Sequence, residues 1–142
     1  MELNSKYSTD FFNQFGKDYL PEYMGIEIKD VGEGFVRAEI SLQKFHFAPN
    51  GYLHAGSVVT LADTVAGYAC IAHLPKGADS FTTLELKANF VGTVRQGSIC
   101  CEAKAVHLGR TTQLWDAKVI NPMNDQLLAM FRCTQLILYP KS

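Results

Sequence analysis

The sequence predicts an α+β domain in which one antiparallel sheet packs around a single long helix. Six segments have the turn signals and alternation of strands, and an apolar helical segment separates the first two from the last four. That helical segment has no polar face, and a helix that is apolar all round must be buried all round. A flat sheet covers only one side, so the sheet must curve around the helix, or a second subunit must cover the rest.

The elements follow in a simple order. The N-terminal segment, residues 1–22, is predicted to be helical, with a short helix over residues 8–15 that Ser8 or Thr9 caps. Two strands then flank a Gly-Glu-Gly turn, as in a hairpin. The long helix and four further strands complete a single domain, residues 1–142, because no linker divides the chain. The predicted strands are residues 25–30, 35–42, 82–91, 98–106, 111–120 and 126–139, and the long helix is residues 55–73.

The last predicted strand shows the alternation most clearly. Four of its apolar side chains recur at every second position, and three polar side chains fall at intervening positions, so these two sets face opposite sides of the sheet. The apolar set is Leu127, Ala129, Phe131 and Cys133, and the polar set is Gln126, Arg132 and Thr134.

The long helix is apolar around its whole circumference. One stripe at helical spacing is Val58, Leu61, Ala62, Val65 and Ala69, and the opposite side holds Val59, Ala66, Tyr68, Cys70 and Ile71. A membrane span needs about 20 mostly apolar residues, whereas this stretch also contains histidine, serine and threonine side chains. We therefore predict the buried helix of a soluble domain and no membrane as partner.

Composition and charge exclude several classes of protein. Hydrophobic residues make up 47% of the chain and charged residues 19%, which is typical of a well-packed globular domain rather than a disordered one. The formal net charge of -1 gives no electrostatic reason to expect binding to nucleic acid or to an anionic membrane.

The N-terminus and the cysteines predict a cytoplasmic protein. The first 18 residues contain no continuous apolar stretch preceded by basic residues, unlike a secretory signal. Four cysteines lack the spacing of metal ligands or of a disulfide framework, so we expect buried free thiols and no metal site. These cysteines are Cys70, Cys100, Cys101 and Cys133.

Asp63 is the candidate for chemistry within the long helix. It is the one formally charged residue between residues 51 and 75, and its neighbours along the chain suit a protein core. A buried carboxylate without a partner is costly, so such groups are paired, hydrogen-bonded or functional. From the residues alone two interpretations stay open: a catalytic acid, or a structural one hydrogen-bonded to Thr60 or Thr64.

A second candidate is the start of this helix. Small residues there leave the first backbone N–H groups accessible, and these groups have no acceptor within the helix. With the positive end of the helix dipole they form a natural site for a developing oxyanion. A purely structural interpretation also exists: Ala55 and Gly56 permit a tight turn, Ser57 caps the helix and His54 binds nearby backbone.

Together these residues resemble a known family. The run HAGSVVTLADTVAGYA (residues 54–69) closely resembles the PaaI-type branch of hotdog thioesterases, which has a His-Gly-Gly start and a helix with a Leu-Ala-Asp-Thr-like core. The resemblance continues through TLELKANF (83–90), Gly97 and LGRT (108–111), and covers about residues 24–139. It implies the hotdog fold, a curved antiparallel sheet wrapped around a long central helix, and the activity of an acyl-CoA thioesterase.

The resemblance also implies catalytic roles. Asp63 matches the acidic residue that acts as nucleophile or general base on the thioester. His54 matches the histidine that shapes the site and holds the thioester region. The backbone N–H of Ala55, with that of Gly56 as a second candidate, would polarise the thioester carbonyl. Thr83 matches a strand Ser or Thr that positions the attacking water.

Substrate binding and assembly follow from the same resemblance. It implies that Gly109 and Arg110 form a turn near the pantetheine and phosphates of coenzyme A, and it makes Asn50 and Asn89 further substrate-binding candidates. The site of this family lies between two subunits, so a homo-oligomer is expected, either a dimer or a dimer of dimers. Asp63 would then face His54 of the partner subunit. No cofactor or metal is required.

The sequence departs from the family pattern at two positions. Ala55 replaces the middle glycine of His-Gly-Gly, but alanine keeps its backbone N–H, so the oxyanion donor survives. Ala48 stands where members often carry Asn or Gln, and this puts the group that orients water or carbonyl in doubt. Asn50 is the nearest amide side chain in the sequence.

Two other functions compete with thioester hydrolysis. One is a hotdog dehydratase or hydratase, whose relatives usually have a Pro-Gly-rich start to the helix that is missing here. The other is a non-catalytic acyl-CoA binding protein, for which Ala48 is the best support.

Overall fold

Six antiparallel strands form one sheet in the order β1-β2-β4-β5-β6-β3. The structure is a computed structural model that describes residues 2–141; Met1 and Ser142, the two ends of the predicted domain, lie outside the described residues. The strands are β1 (Ile26–Gly32), β2 (Phe35–Ser41), β3 (Ser80–Phe90), β4 (Ser98–Leu108), β5 (Thr112–Asn121) and β6 (Gln126–Leu138). The helices are α1 (Thr9–Phe15), α2 (Leu20–Tyr23) and α3 (Ala55–Ala72), with a 3₁₀ turn at Lys44–His46.

The sheet curves around α3, which contacts all six strands. This arrangement confirms the predicted α+β hotdog fold. The apolar stripe of α3 is buried against the sheet, and Leu61, Val65 and Ala69 have no exposed surface. By length and composition α3 would also suit a membrane span, but most of it is buried inside the fold.

The boundaries agree with the predicted elements except where elements are very short. Ser8 caps α1 by accepting a hydrogen bond from the Phe11 N–H (3.1 Å), as predicted. In β6, Phe131 and Cys133 point into the core and Arg132 points out, as predicted, but the alternation fails at Leu127. The pairing with β5 shifts register between Val119 and Ile120, and Leu128 is buried there more deeply than Leu127. Neither α2 nor the 3₁₀ turn has a periodic signal in the sequence, because one turn of helix is too short for a repeat to appear.

His73 fastens the C-terminal end of α3. Its ring Nδ1–H donates to the Ala69 carbonyl (2.8 Å), and its Nε2 accepts from the Gly34 N–H (2.8 Å) in the turn between β1 and β2. The His73 carbonyl accepts from the Gln113 amide (2.8 Å) at the start of β5, and Gln113 in turn accepts from the Trp115 indole. The end of α3 is thus tied to both halves of the sheet.

Candidate active site

The start of α3 presents one open backbone donor. His54 is the N-cap, and its Nδ1 accepts a hydrogen bond from the Gly56 N–H (2.8 Å). The neutral ring therefore carries its proton on Nε2, which is free to donate. The Ala55 N–H makes no hydrogen bond within residues 2–141. Of the two candidate oxyanion donors, Ala55 is open and Gly56 is occupied by His54.

His46, which the sequence did not single out, anchors this helix start. Its carbonyl accepts from the His54 N–H (3.1 Å) and from the Ser57 hydroxyl (2.8 Å). Its buried ring accepts from the Gln43 N–H at Nδ1 and donates from Nε2 to the Met24 carbonyl (2.7 Å). The N-terminal end of α3 is therefore fixed to Met24, the residue that follows α2. Between two phenylalanines, a histidine gives no sequence signal for such a role.

The loop before α3 closes on itself. The Ala48 N–H donates to the Tyr52 carbonyl (2.7 Å), and the Gly51 N–H donates to the Ala48 carbonyl (2.8 Å). The side-chain oxygen of Asn50 accepts from the Tyr52 N–H (3.1 Å), so this oxygen is engaged within the loop. A methyl group stands at position 48, where the family resemblance led us to expect an amide.

Asp63 lies half-buried on the third turn of α3, with its Oδ1 fully buried. No hydrogen-bond donor within residues 2–141 reaches that oxygen, and burial raises the pKa of the carboxyl above its ordinary value of 3.8. The Thr60 hydroxyl, one of the two structural partners considered above, donates instead to the Gly56 carbonyl (2.7 Å). A buried oxygen without a hydrogen-bond donor lowers the free energy of unfolding by about 1–3 kcal/mol, so its presence in a fold needs a reason such as a functional role.

A chain of polar groups lies on the strands that face Asp63. The Thr83 hydroxyl donates to the Gln135 side-chain oxygen (2.7 Å), and the Gln135 amide donates to the Cys133 sulfur (3.4 Å). Burial, with a smaller contribution from the charge of Asp63, raises the pKa of the Cys133 thiol to about 12.

Two features of these hydrogen-bonded polar groups were not predicted from the sequence. The pairing of β3 with β6 shifts register between Thr83 and Glu85, and such a bulge re-aims the neighbouring side chains. Gln135 is fully buried, and its position two residues after Cys133 puts it on the core face of β6. The alternation could have revealed it as a polar side chain on an otherwise apolar face.

Within one chain these groups do not converge. Eight residues separate Ala55 from Asp63, which corresponds to about 12 Å along the helix axis. A carbonyl whose oxygen is held by the Ala55 N–H is therefore beyond the reach of the same chain's Asp63, even through one water. The chain supplies a carboxylate with a raised pKa and an open backbone N–H, at two separate places.

Three other predicted residues lie away from both places. Gly109 and Arg110 form the turn between β4 and β5, close to Gln113 and hence to the C-terminal end of α3. Asn89 pairs with Met130, which points to the outer face of the sheet, so the sheet separates Asn89 from Asp63.

Comparisons with known proteins point in one direction. Residues 50–127 match the family described as the Thioesterase superfamily. The chain is 32% identical over 115 residues to the 1,4-dihydroxy-2-naphthoyl-CoA hydrolase of Listeria monocytogenes, covering 81% of this chain and 92% of that one. A solved thioesterase from Haemophilus influenzae superposes with a TM-score of 0.90 at 27% identity, covering 98% of this chain and 96% of that one. The PaaI protein of Escherichia coli, at 22% identity and a TM-score of 0.79 over 89% of this chain and 88% of that one, shares the fold.

Proposed function

Because the chain belongs to the thioesterase superfamily, we propose that it hydrolyses an acyl-CoA thioester to a free acid and coenzyme A, with Asp63 as nucleophile or general base. The observation that carries this proposal is the unpaired, buried Oδ1 of Asp63. A raised carboxyl pKa makes the carboxylate a stronger base, which suits attack on a thioester or activation of water.

The chemistry divides between the two places. The Ala55 N–H at the start of α3 holds the carbonyl oxygen as it becomes an oxyanion, and one such donor is typically worth about 3 kcal/mol. The Nε2–H of His54 is a second donor beside it. Asp63 attacks the carbonyl carbon or takes a proton from a water that the Thr83 hydroxyl orients. The tetrahedral intermediate then expels the thiolate of coenzyme A. If Asp63 is the nucleophile, this leaves a mixed anhydride on Asp63, which water hydrolyses to the free acid and the restored carboxylate. If Asp63 is the general base, the acid forms directly and the proton held by Asp63 passes to the thiolate.

A second copy of the chain completes this site. The 12 Å between Ala55 and Asp63 requires that the two groups acting on one thioester come from different chains. The edge strand β3 has one side without a partner strand and exposes Leu84 (56%), Leu86 (40%) and Phe90 (47%). Unpaired edges and apolar surface favour association. The proposed assembly is a homodimer, or a dimer of dimers, in which Asp63 faces the partner subunit's Ala55.

An acyl-CoA panel with a free-thiol reagent tests the activity. The similar Listeria enzyme is named for 1,4-dihydroxy-2-naphthoyl-CoA, so aromatic acyl-CoAs belong in the panel beside straight-chain ones. We expect release of coenzyme A from at least one class, and its loss in Asp63→Asn.

The panel also separates the two alternatives. The alanine at position 48 is the observation that favours a non-catalytic binding protein, which would bind acyl-CoA tightly and release no thiol. A dehydratase or hydratase would instead add or remove water at an enoyl-CoA without freeing the thiol.

A further inference from the structure

A cavity of about 590 Å³ opens beside the loop that leads into α3. Three stretches of chain line it: residues 42–44 after β2, residues 47–49 and 51 before α3, and residues 95–97 before β4. The Leu42 N–H donates to the Gly97 carbonyl (2.8 Å), which holds the first and third stretches together. The cavity is therefore part of the fold at the end of the molecule where His54 lies.

The wall of this cavity is positively charged. Lys44 and Arg95 line it, and no carboxylate side chain does. Neither cation forms an ion pair with a carboxylate anywhere in residues 2–141. The Arg95 guanidinium lies over the ring of Tyr52, 5.0 Å from its centroid, and this contact orients the planar group. Two exposed cations thus remain without a counter-charge in a concave surface.

We propose that this cavity binds the phosphate-bearing nucleotide end of coenzyme A, an inference that rests on the proposed hydrolysis of acyl-CoA. The guanidinium of Arg95 presents a fork of N–H donors that matches two phosphate oxygens, and Lys44 adds a mobile point charge. The phosphates carry the negative charge of coenzyme A, so they are the part of the substrate that this wall recognises.

The distance to the reacting carbonyl suits this arrangement. Gly51 lines the cavity and precedes His54 by three residues, which span at most about 11 Å. The pantetheine arm is an extended chain between the sulfur and the pyrophosphate, and it can bridge such a gap. The Leu53 N–H donates to Thr93 (3.2 Å), so the loop that bears Arg95 is fixed to the start of α3. The Gly109–Arg110 turn, which the family resemblance assigns to the phosphates, lies at the opposite end of the same chain's α3.

The deciding measurement is a calorimetric titration of the whole protein with coenzyme A. Relative to wild type, the Lys44→Ala/Arg95→Ala variant should raise the Kd by about tenfold or more, because charge-assisted hydrogen bonds are lost. The control Lys118→Ala/Lys141→Ala removes the same charge from residues outside the cavity and should stay within about twofold. Arg95→Gln keeps part of the side-chain stem and removes the guanidinium that lies over Tyr52. It should raise the Kd by less than the double variant does, and it tests the same site if the double variant is poorly folded.

Turnover gives a second readout. The double variant should raise KM for an acyl-CoA by about tenfold while kcat changes little, and it should leave hydrolysis of the same acyl group on pantetheine unchanged. An unchanged Kd for coenzyme A overturns the assignment, as does a tenfold weaker Kd in Arg110→Ala alone. If wild type hydrolyses no thioester but its Kd still depends on Lys44 and Arg95, the proposed function fails and the phosphate site stands.

Discussion

The catalytic role that we propose for Asp63 and the stability of the fold make opposite demands on its side chain. In Asp63→Asn the size is kept and the basicity is lost, so kcat should fall by roughly 100-fold or more while KM changes much less. Burial raises the carboxyl pKa, so the native state binds a proton that the unfolded state has already lost. The free energy of unfolding therefore falls as pH rises from 3.8 through the raised pKa of Asp63, and it stays lower by the same amount at neutral pH.

Asp63→Asn should therefore unfold at the same temperature as wild type or at a higher one at pH 7. Thermal unfolding and acyl-CoA hydrolysis, measured on the same preparation, check both statements. A variant that is destabilised but fully active would show that Asp63 is a structural residue.

The cysteines of β4 should be dispensable for turnover. Burial raises the pKa of both the Cys100 and the Cys101 thiols, so neither is a reactive thiolate at neutral pH. The Cys100→Ala/Cys101→Ala variant should hydrolyse its substrate within a few-fold of the wild-type rate. A well-folded double variant without activity would contradict this, and its thermal unfolding curve supplies the control for folding.

At the scale of elements, the C-terminal end of α3 should respond to acid through His73. Burial lowers the pKa of His73, although the hydrogen bond to Ala69 opposes this, and protonation would remove the acceptor of the Gly34 N–H. The unfolded chain then binds the proton more readily, so His73 contributes stability above its ordinary pKa of 6.5 that is lost as pH falls below it.

His73→Gln replaces the imidazole ring with an amide, which does not titrate. It should have a lower Tm than wild type at pH 7 but a smaller loss of Tm between pH 7 and pH 5. If Tm falls by the same amount in both proteins between pH 7 and pH 5, His73 does not take up a proton when the protein unfolds.

The long elements of the fold could be predicted from the sequence, and the contacts between distant segments could not. Period-two and helical patterns predicted α3 and the six strands, because each is long enough to repeat its pattern. The family resemblance predicted His54, Ala55 and Asp63 by position. His46 could not be predicted, since its role depends on hydrogen bonds to Met24 and Gln43 that form only after folding. The same holds for the cavity, whose three stretches are distant in sequence.

At the scale of the whole molecule, the edge strand β3 should control assembly. Leu84→Arg puts a charge on a side chain that is 56% exposed in a single chain, so it costs little unless a second copy covers it. Sedimentation should show a dimer or larger assembly for wild type and a folded, inactive monomer for the variant. Met123→Arg, at a turn residue that is 86% exposed, is the matched control and should keep the wild-type assembly. A stable monomer with full activity would contradict both the assembly and the shared site.

The 12 Å between Ala55 and Asp63 has a consequence for mixtures of damaged chains. Asp63→Asn removes the carboxylate from one variant, and His54→Ala removes the histidine at the start of α3 from the other. In a mixed dimer one site combines both substitutions, whereas the other site combines the wild-type Asp63 of one chain with the wild-type His54 of its partner. Two inactive variants should therefore restore activity when they are mixed. After unfolding and refolding together in equal amounts, half of the dimers would be mixed, and activity should return to about a quarter of the wild-type value. Refolding each variant alone is the control, and a mixture that stays inactive would mean that each chain acts on its own.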